Sequence, residues 1–233
     1  MIDQRAPAVA IVPARGGSKG VPGKNLVNVA GLPLIAWTLL AISDADLPIR
    51  LIVTTDSQDI ADVATDYGSE VVRRPRDLAL DTSPTEPAII HALREARVKN
   101  DALLLLLQPT SPIRSTGSID RAHTAFIKSG RDTLVSVVEE TIFNWSGPPE
   151  NPRPLYNTKS RPRRQDFRPE QVLFRETGSI YISRVAPFIQ AENRIHGSTS
   201  LFVMAKSEGI DIDDSHDIAV ADAVLNRSQT ELS

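Results

Sequence analysis

The 233-residue chain is expected to fold as a doubly wound α/β protein with a mostly parallel sheet, and three observations carry that expectation. Apolar runs of strand length alternate with stretches of helical period. The first of these runs passes directly into a glycine-rich crossover. The most apolar run, Ala102 to Leu107, lies mid-chain and has no polar alternation, as a parallel strand buried on both faces requires.

Each element follows from its own residues. Ala8 to Val12 is a short buried strand ending at Pro13. Pro33 opens a helix with Leu34, Trp37, Thr38 and Ala41 on one face, since proline is tolerated in a first turn. Ile49 to Thr55 is a second strand, and Asp56 or Ser57 caps the helix that follows. That helix spaces Ile60, Val63, Ala64 and Tyr67 for one buried face and stops at Gly68. Glu70 to Val72 is a third, short strand. Thr85 to Val98 is a helix with Ile89, Ala92, Leu93 and Ala96 inward. After the central strand come a helix near Ile119 to Ile127 and a strand at Thr133 to Val138. From about Thr141 to Glu176 the pattern breaks into a Pro- and Arg-rich stretch of little periodicity, read as a β-rich excursion that extends from the domain and packs on a partner subunit. Strand-like runs resume at Ser179 to Ile182, Leu201 to Met204 and Gly209 to Ile212, and Asp217 to Leu225 is a final helix. The whole reads as one domain over 1–233 with an inserted extension at about 141–176.

Composition removes several function classes. With no cysteine, disulfides, thiol nucleophiles and thiolate metal sites are impossible. A net charge of −3 gives no bulk attraction to nucleic acid or to an anionic membrane. The longest apolar run is far too short for a bilayer, and the N-terminus lacks a signal-type apolar core, so a cytoplasmic protein is expected. His91, His123, His196 and His216 show no metal-ligand spacing, and no G-x-S-x-G elbow is present.

Ligands of doubly wound sheets sit beyond the carboxyl ends of the strands, so the loops after Val12, Thr55, Val72 and Leu107 are where chemistry is expected. Pro13 to Asn25 places four glycines within eight residues, which lets backbone N–H groups converge on an anion, and adds Arg15, Lys19 and Lys24. This is neither a Walker A loop nor a dinucleotide fingerprint, because both spacings fail. Arg73-Arg74-Pro75-Arg76 adds positive charge at the same edge. The turn Gln108 to Arg114 offers Gln108, which both donates and accepts, as recognition of a sugar or base needs. Asp211 and Asp213, two apart on an extended chain, project together, and paired carboxylates suit a cation such as Mg²⁺. An acidic turn that caps the last helix is the competing reading.

Taken in order, IVPARGGSKGVPGKN, IVTTDSQDIADVATDYG, VVRRPRDLALDTS, LLLLLQPTSPIR, RPRRQDF, ETGSIYIS and IDIDDSHD resemble the N-acylneuraminate cytidylyltransferases and their Kdo-, legionaminate- and pseudaminate-activating relatives. The resemblance runs from residue 9 to about 217. It implies a Rossmann-like nucleotidyltransferase fold with a projecting dimerisation element, CTP as donor, Mg²⁺ (or Mn²⁺) as cofactor and a homodimer. It implies transfer of CMP to the anomeric hydroxyl of a nonulosonic acid; a Kdo-type sugar or phosphonate acceptor is the alternative, and a non-catalytic nucleotide-binding protein the reading from another class. By the same resemblance, Arg15, Gly16, Gly17, Ser18, Lys19, Lys24 and Asn25 form the nucleotide loop, and Arg74 and Thr85 lie near the cytidine. Gln108 and Arg175 face the acceptor, Asp211 and Asp213 hold the metal, and Arg15, Lys24 and Asp213 act in catalysis. The chain departs from the family at Glu176-Thr177-Gly178, where an asparagine often precedes the glycine.

Overall fold

A computed structural model describes residues 7–18, 20–140, 143–161, 163 and 172–231, the last four of these by backbone alone. In chain order the elements are β1 (Ala8–Pro13), β2 (Asn28–Val29), β3 (Leu32–Pro33), α1 (Leu34–Ser43), β4 (Ile49–Thr55), α2 (Gln58–Asp66), β5 (Glu70–Arg73), α3 (Thr85–Glu95), β6 (Leu103–Leu106) and α4 (Ser118–Ser129). They continue with β7 (Thr133–Glu140), β8 (Trp145–Ser146), β9 (Arg153–Pro154), β10 (Leu173–Arg184), α5 (Val185–Ala191), β11 (Thr199–Met204) and α6 (Ser215–Glu231). Seven strands form the main sheet in the order β11-β7-β10-β6-β1-β4-β5. β10 alone runs against its neighbours; β1, β4, β5 and β6 are mutually parallel, as are β7 and β11. The expected mostly parallel, doubly wound sheet is therefore what the chain forms.

Strand alternation divides the core between the two faces. Ala8, Ala10 and Val12 of β1 pack with Ile35, Leu39, Ile60 and Phe126 of α1, α2 and α4. Val9 and Ile11 pack on the other face with Ile89, Leu93, Val185 and Phe188 of α3 and α5. Phe126 and Phe188 are each 1 % exposed, so truncating either costs about 3–5 kcal/mol. A third cluster, with Val29, Leu34, Ile113, Ile212 and Leu225, seats α6 at the carboxyl edge of the sheet.

Local signals were read well in the first half of the chain. Ser57 is the cap of α2, its Oγ accepting from the Ile60 amide at 3.4 Å. Pro33 stands one residue before α1, in extended geometry at the cap position rather than inside the first turn. The second half needs three corrections. α5 was not expected, its Val185–Ala191 being one short apolar turn without periodicity. β10 begins at Leu173, inside the stretch read as irregular, and its ladder is antiparallel. No strand forms at Gly209–Ile212: the Ile212 amide bonds to the Thr110 carbonyl at 2.8 Å, across from a turn, and the segment stays irregular.

The β10 ladder carries a deep bulge. From Glu176 to Tyr181 is five residue steps, yet their partners Val137 and Val135 on β7 are two apart. Buried hydroxyls satisfy the displaced backbone: Ser136 Oγ accepts from the Ile180 amide at 2.8 Å, and Thr177 Oγ1 from the Ser179 amide at 3.2 Å. Ser136 Oγ and Thr177 Oγ1 bond to each other at 2.7 Å. Thr177, where the chain departs from the family pattern, thus holds the bulge together.

Candidate active site

The crossover after β1, the loop after β5, the start of α3 and the turn after β6 meet at the carboxyl edge of the parallel strands. They enclose a cleft of about 170 Å³ lined by Arg15, Gly17, Ser18, Lys24, Asn25, Arg74, Thr85 and Gln108, with Pro13 and Thr110. These stretches are up to 95 residues apart in sequence, from Arg15 to Thr110. Gly16 adjoins this wall with its amide donating to Asp56 Oδ1 at 2.8 Å, so that N–H is not turned to the cleft. Lys19 lies outside the described residues.

The cations are held in different ways. Arg15 Nη1 meets Asp81 Oδ1 at 2.9 Å and the Leu80 carbonyl at 3.0 Å, with both charged side chains about a third or more exposed (31 % and 41 %). An exposed pair of this kind contributes only about 0–1 kcal/mol, so an incoming phosphate can displace Asp81. Asn25 is buried and its Nδ2 donates to the Arg15 carbonyl at 2.9 Å, which fixes the loop backbone. Arg74 is only 8 % exposed. Its Nη2 donates to the Thr54 carbonyl at 3.0 Å, while its Nε has no partner among the described residues. Burial lowers its pKa, Asp56 raises it and Arg15 lowers it further. A buried, under-bonded cation facing a cleft is costly unless an anion or acceptor comes to it.

Lys24 forms the wall between this cleft and a second hollow. Its Nζ donates to the Ile212 carbonyl at 2.5 Å and lies 3.3 Å from Asp213 Oδ1. The hollow, about 420 Å³, is lined by Arg175, Gly209, Ile210, Asp211, Asp213, His216, Asp217 and Val220. A Cβ on Gly20 would come within 2.2 Å of the Asp213 carbonyl oxygen, so only glycine lets the loop dock on the acidic segment. Asp211 Oδ1 accepts from Ser111 Oγ at 3.4 Å. Asp213 leaves 83 % of its side chain exposed. The capping reading also holds, but for different carboxylates. Asp214 Oδ1 accepts from the His216 and Asp217 amides, and Asp217 Oδ2 from the Asp213 and Asp214 amides. Those amide bonds hold the Asp217 carboxyl below its usual value. The carboxylates of Asp211 and Asp213 take no part in that capping.

No group of three or more His, Cys, Asp or Glu able to hold a metal occurs among the described residues. Mg²⁺ is typically held by one or two carboxylates, with water and substrate phosphates completing its shell. Asp211 and Asp213 line one hollow beside the cationic cleft, and two carboxylates are a donor set of the kind such an incomplete shell uses. Arg175 reaches the same hollow but is engaged elsewhere, by Glu140 Oε1 at 2.9 Å and the Gly209 carbonyl at 2.9 Å.

Sequence reasoning singled out Gln108 from its turn but passed over Thr110, Ser111 and Arg114. Thr110 lines the cleft, and Ser111 bridges Asp211 to the Thr177 carbonyl, the latter at 2.5 Å. The quoted segment LLLLLQPTSPIR contained all three, yet only the fold reveals what they touch. A larger hollow of about 590 Å³, between α1, the 112–116 turn and α6, is lined by Trp37, Leu40, Val224 and Leu225 among others. Its one lining cation, Arg114, is turned to Thr38, Gln108 and Ser179, so the hollow does not suit a polyanion. No helix among the described residues is long and apolar enough to cross a membrane.

The family model described as cytidylyltransferase matches residues 9–195. CMP-N,N'-diacetyllegionaminic acid synthase of Legionella pneumophila is 34 % identical over 230 residues, covering 96 % of this chain and 98 % of that protein. N-acylneuraminate cytidylyltransferase A of Danio rerio is 32 % identical over 218 residues, covering 91 % of this chain but 49 % of its own length. The chain thus spans about half of that longer relative. Among solved structures, CMP:2-keto-3-deoxy-manno-octonic acid synthetase complexed with CTP superposes with a TM-score of 0.69 at 16 % identity, covering 96 % of this chain and all of that one. At that identity the likeness is one of fold.

Proposed function

The chain belongs to the cytidylyltransferase family, and from that premise we propose that it transfers CMP from CTP to the anomeric hydroxyl of a nonulosonic acid, releasing pyrophosphate. The observation that carries this reading is the union of Arg15, Lys24, Arg74, Thr85 and Gln108 in one cleft, with Asp211 and Asp213 just beyond Lys24.

Both reactants are anions, so the first task of the site is to bring them together. Arg15, Lys24 and the glycine-rich backbone, with Lys19 from the same loop, receive the triphosphate and offset its charge. Arg74, whose free Nε needs an acceptor, and Thr85 at the positive end of α3 receive the cytidine. Gln108 orients the sugar acid from the opposite wall, and Arg175 stands on the acceptor side beside the acidic hollow. Asp211 and Asp213 hold Mg²⁺ (or Mn²⁺), which when bound neutralises charge developing on the phosphate oxygens. The acceptor hydroxyl gives up its proton to a carboxylate or water and forms the new bond to the α-phosphorus. The bond to the bridging oxygen breaks, and pyrophosphate leaves with its electron pair. Catalysis on this scheme comes mainly from positioning and fixed charge, supplied by Arg15, Lys24 and Asp213.

We assign the reaction to the cytoplasm, where CTP is available, and to a homodimer. The hairpin of β8 and β9 supports the dimer, since Trp145 and the neighbouring Leu155 are each 53 % exposed, and Phe174 at the start of β10 is 42 % exposed. The chain itself would thus provide the partner surface through Trp145, Leu155 and Phe174.

The test is pyrophosphate release with CTP and Mg²⁺ over a panel of N-acetylneuraminate, di-N-acetyllegionaminate, pseudaminate, Kdo and simple phosphonates. Release with a nonulosonate alone is the expected result. Release with Kdo or a phosphonate instead would reassign the acceptor, and CTP binding without release on any of them would leave a nucleotide-binding protein.

A further inference from the structure

We propose that Arg114, which does not line the cleft, is the positioning residue that fixes Gln108 for the acceptor by tying the turn after β6 to the bulge of β10. The inference rests on the reading of Gln108 as an acceptor contact.

The geometry is specific to a guanidinium. Nη2 of Arg114 donates to the Gln108 carbonyl at 3.0 Å and to the Ser179 carbonyl at 2.9 Å, while Nη1 donates to Thr38 Oγ1 at 2.9 Å. One side chain therefore joins three segments, from α1, the 108–114 turn and β10. A lysine places a single ammonium and cannot span this planar fork. Nε of Arg114 is sealed from solvent without a partner among the described residues. Burial lowers the pKa of the group, and Glu208 raises it. The guanidinium's donors reach the Gln108 and Ser179 carbonyls and the Thr38 hydroxyl together, so its desolvation cost is offset by bonds that hold the turn against β10 and α1.

Glu208 is the compensating charge, 4 % exposed and bonded through Oε1 to the Ser115 amide at 2.7 Å and to Ser118 Oγ at 3.0 Å. Glu208 thereby anchors the far end of the same turn. On the cleft side the fit is equally close. Gly178 has φ +70°, and a Cβ there would lie 2.6 Å from Gln108 Oε1 and 3.1 Å from Ser111 Oγ. The amide of Gln108 is thus seated on the bare backbone of Gly178, and Arg114 clamps the residue that follows. Ser111, in the same turn, also reaches Asp211, so the clamp sets the acceptor wall against the acidic segment.

The experiment compares Arg114→Met, Arg114→Lys, Gln108→Ala and the double variant Arg114→Met/Gln108→Ala. CTP affinity is measured by calorimetry and acceptor KM with N-acetylneuraminate and di-N-acetyllegionaminate. Arg114→Met is expected to raise acceptor KM about 10-fold or more, as loss of one well-placed hydrogen-bonding contact does, while CTP affinity stays within about 2-fold. Arg114→Lys recovers part of the loss. On the Gln108→Ala background, Arg114→Met adds little. Equal losses for both substrates, or losses that multiply in the double variant, would overturn the proposal. Should Arg114→Met not fold, Gly178→Ala takes its place, because it displaces Gln108 without touching Arg114; an unchanged acceptor KM there overturns the proposal as well. If neither acid is turned over by the unmodified protein, the acceptor reading fails, and amide hydrogen exchange of residues 108–114 decides on the clamp. Faster exchange in Arg114→Met than in the unmodified protein supports it, and identical exchange sinks it.

Discussion

On one side of β6, strands β1, β4 and β5 run parallel, and the residues facing the cleft come from short loops directly after them. On the other side, β10 runs antiparallel between β6 and β7, and its site residues reach their places through a bulge and two distant segments. Most of the first half's groups lie within Arg15 to Asn25. The second half joins Gln108, Ser111 and Arg114 to Thr177–Ser179 and to Asp211. A loop that follows a parallel strand needs only local chemistry to cradle an anion. A pocket for a sugar acid needs shape, which here comes from long-range contacts. Substitutions in the first half should therefore weaken charge neutralisation, and those in the second should act on the acceptor or on assembly.

The sharpest way to break this division lies at the seam between the halves. Asp213→Ala should lower kcat by about 100-fold or more, in line with removing a preorganised electrostatic group, with CTP affinity changed only a few-fold. Unchanged turnover at saturating Mg²⁺ would remove Asp213 from metal binding. Lys24→Met should instead cost both kcat and CTP affinity, because Lys24 faces the cleft and the acidic segment at once. Steady-state kinetics beside CTP calorimetry separates the two outcomes.

A smaller effect is expected on the β8–β9 hairpin. Phe143 and Tyr156 meet edge to face at 5.0 Å and Trp145 and Tyr156 at 6.0 Å, leaving Trp145 half exposed at the outer surface. Trp145→Ser should weaken self-association by about 2 kcal/mol, or roughly 30-fold, as an aromatic interface anchor does. Sedimentation equilibrium reads this directly, and an unchanged mass would take the hairpin out of the interface.

The smallest expected effect is a pH dependence of stability that links α3 to the second half. Arg194 Nε donates to Glu86 Oε1 at 2.7 Å, and Arg194 also lies over the Tyr181 ring. Burial works against a charged Glu86, but the hydrogen bond and charge of Arg194 outweigh it, so its pKa falls below the ordinary value. A depressed carboxylate stabilises the fold above its unfolded pKa of about 4.3 and loses that contribution as pH falls through the lower folded value. Glu86→Gln should flatten the melting-temperature curve below about pH 4.3, by roughly 2–4 °C for each kcal/mol the pair contributes. An acid limb that survives the substitution would mean that other carboxylates set it.

The sequence by itself determined the alternation of strands and helices, the apolar central strand and the glycine-rich loop with its cations. These are properties of neighbouring residues: burial period, backbone freedom and charge within one short segment. It could not supply the reversal of β10, because an isolated strand carries no mark of which neighbour it will meet or in which direction. Nor could it show that Gly209–Ile212 lacks a ladder, since extended residues become a strand only when a partner backbone offers its bonds. Tertiary structure alone decided that Asp56 occupies the Gly16 amide, that Arg74 is buried with a free Nε, and that Arg114 clamps the Gln108 turn. In each case the deciding contact joins residues 20 to 70 positions apart, and its energy exists only after the sheet has brought them together.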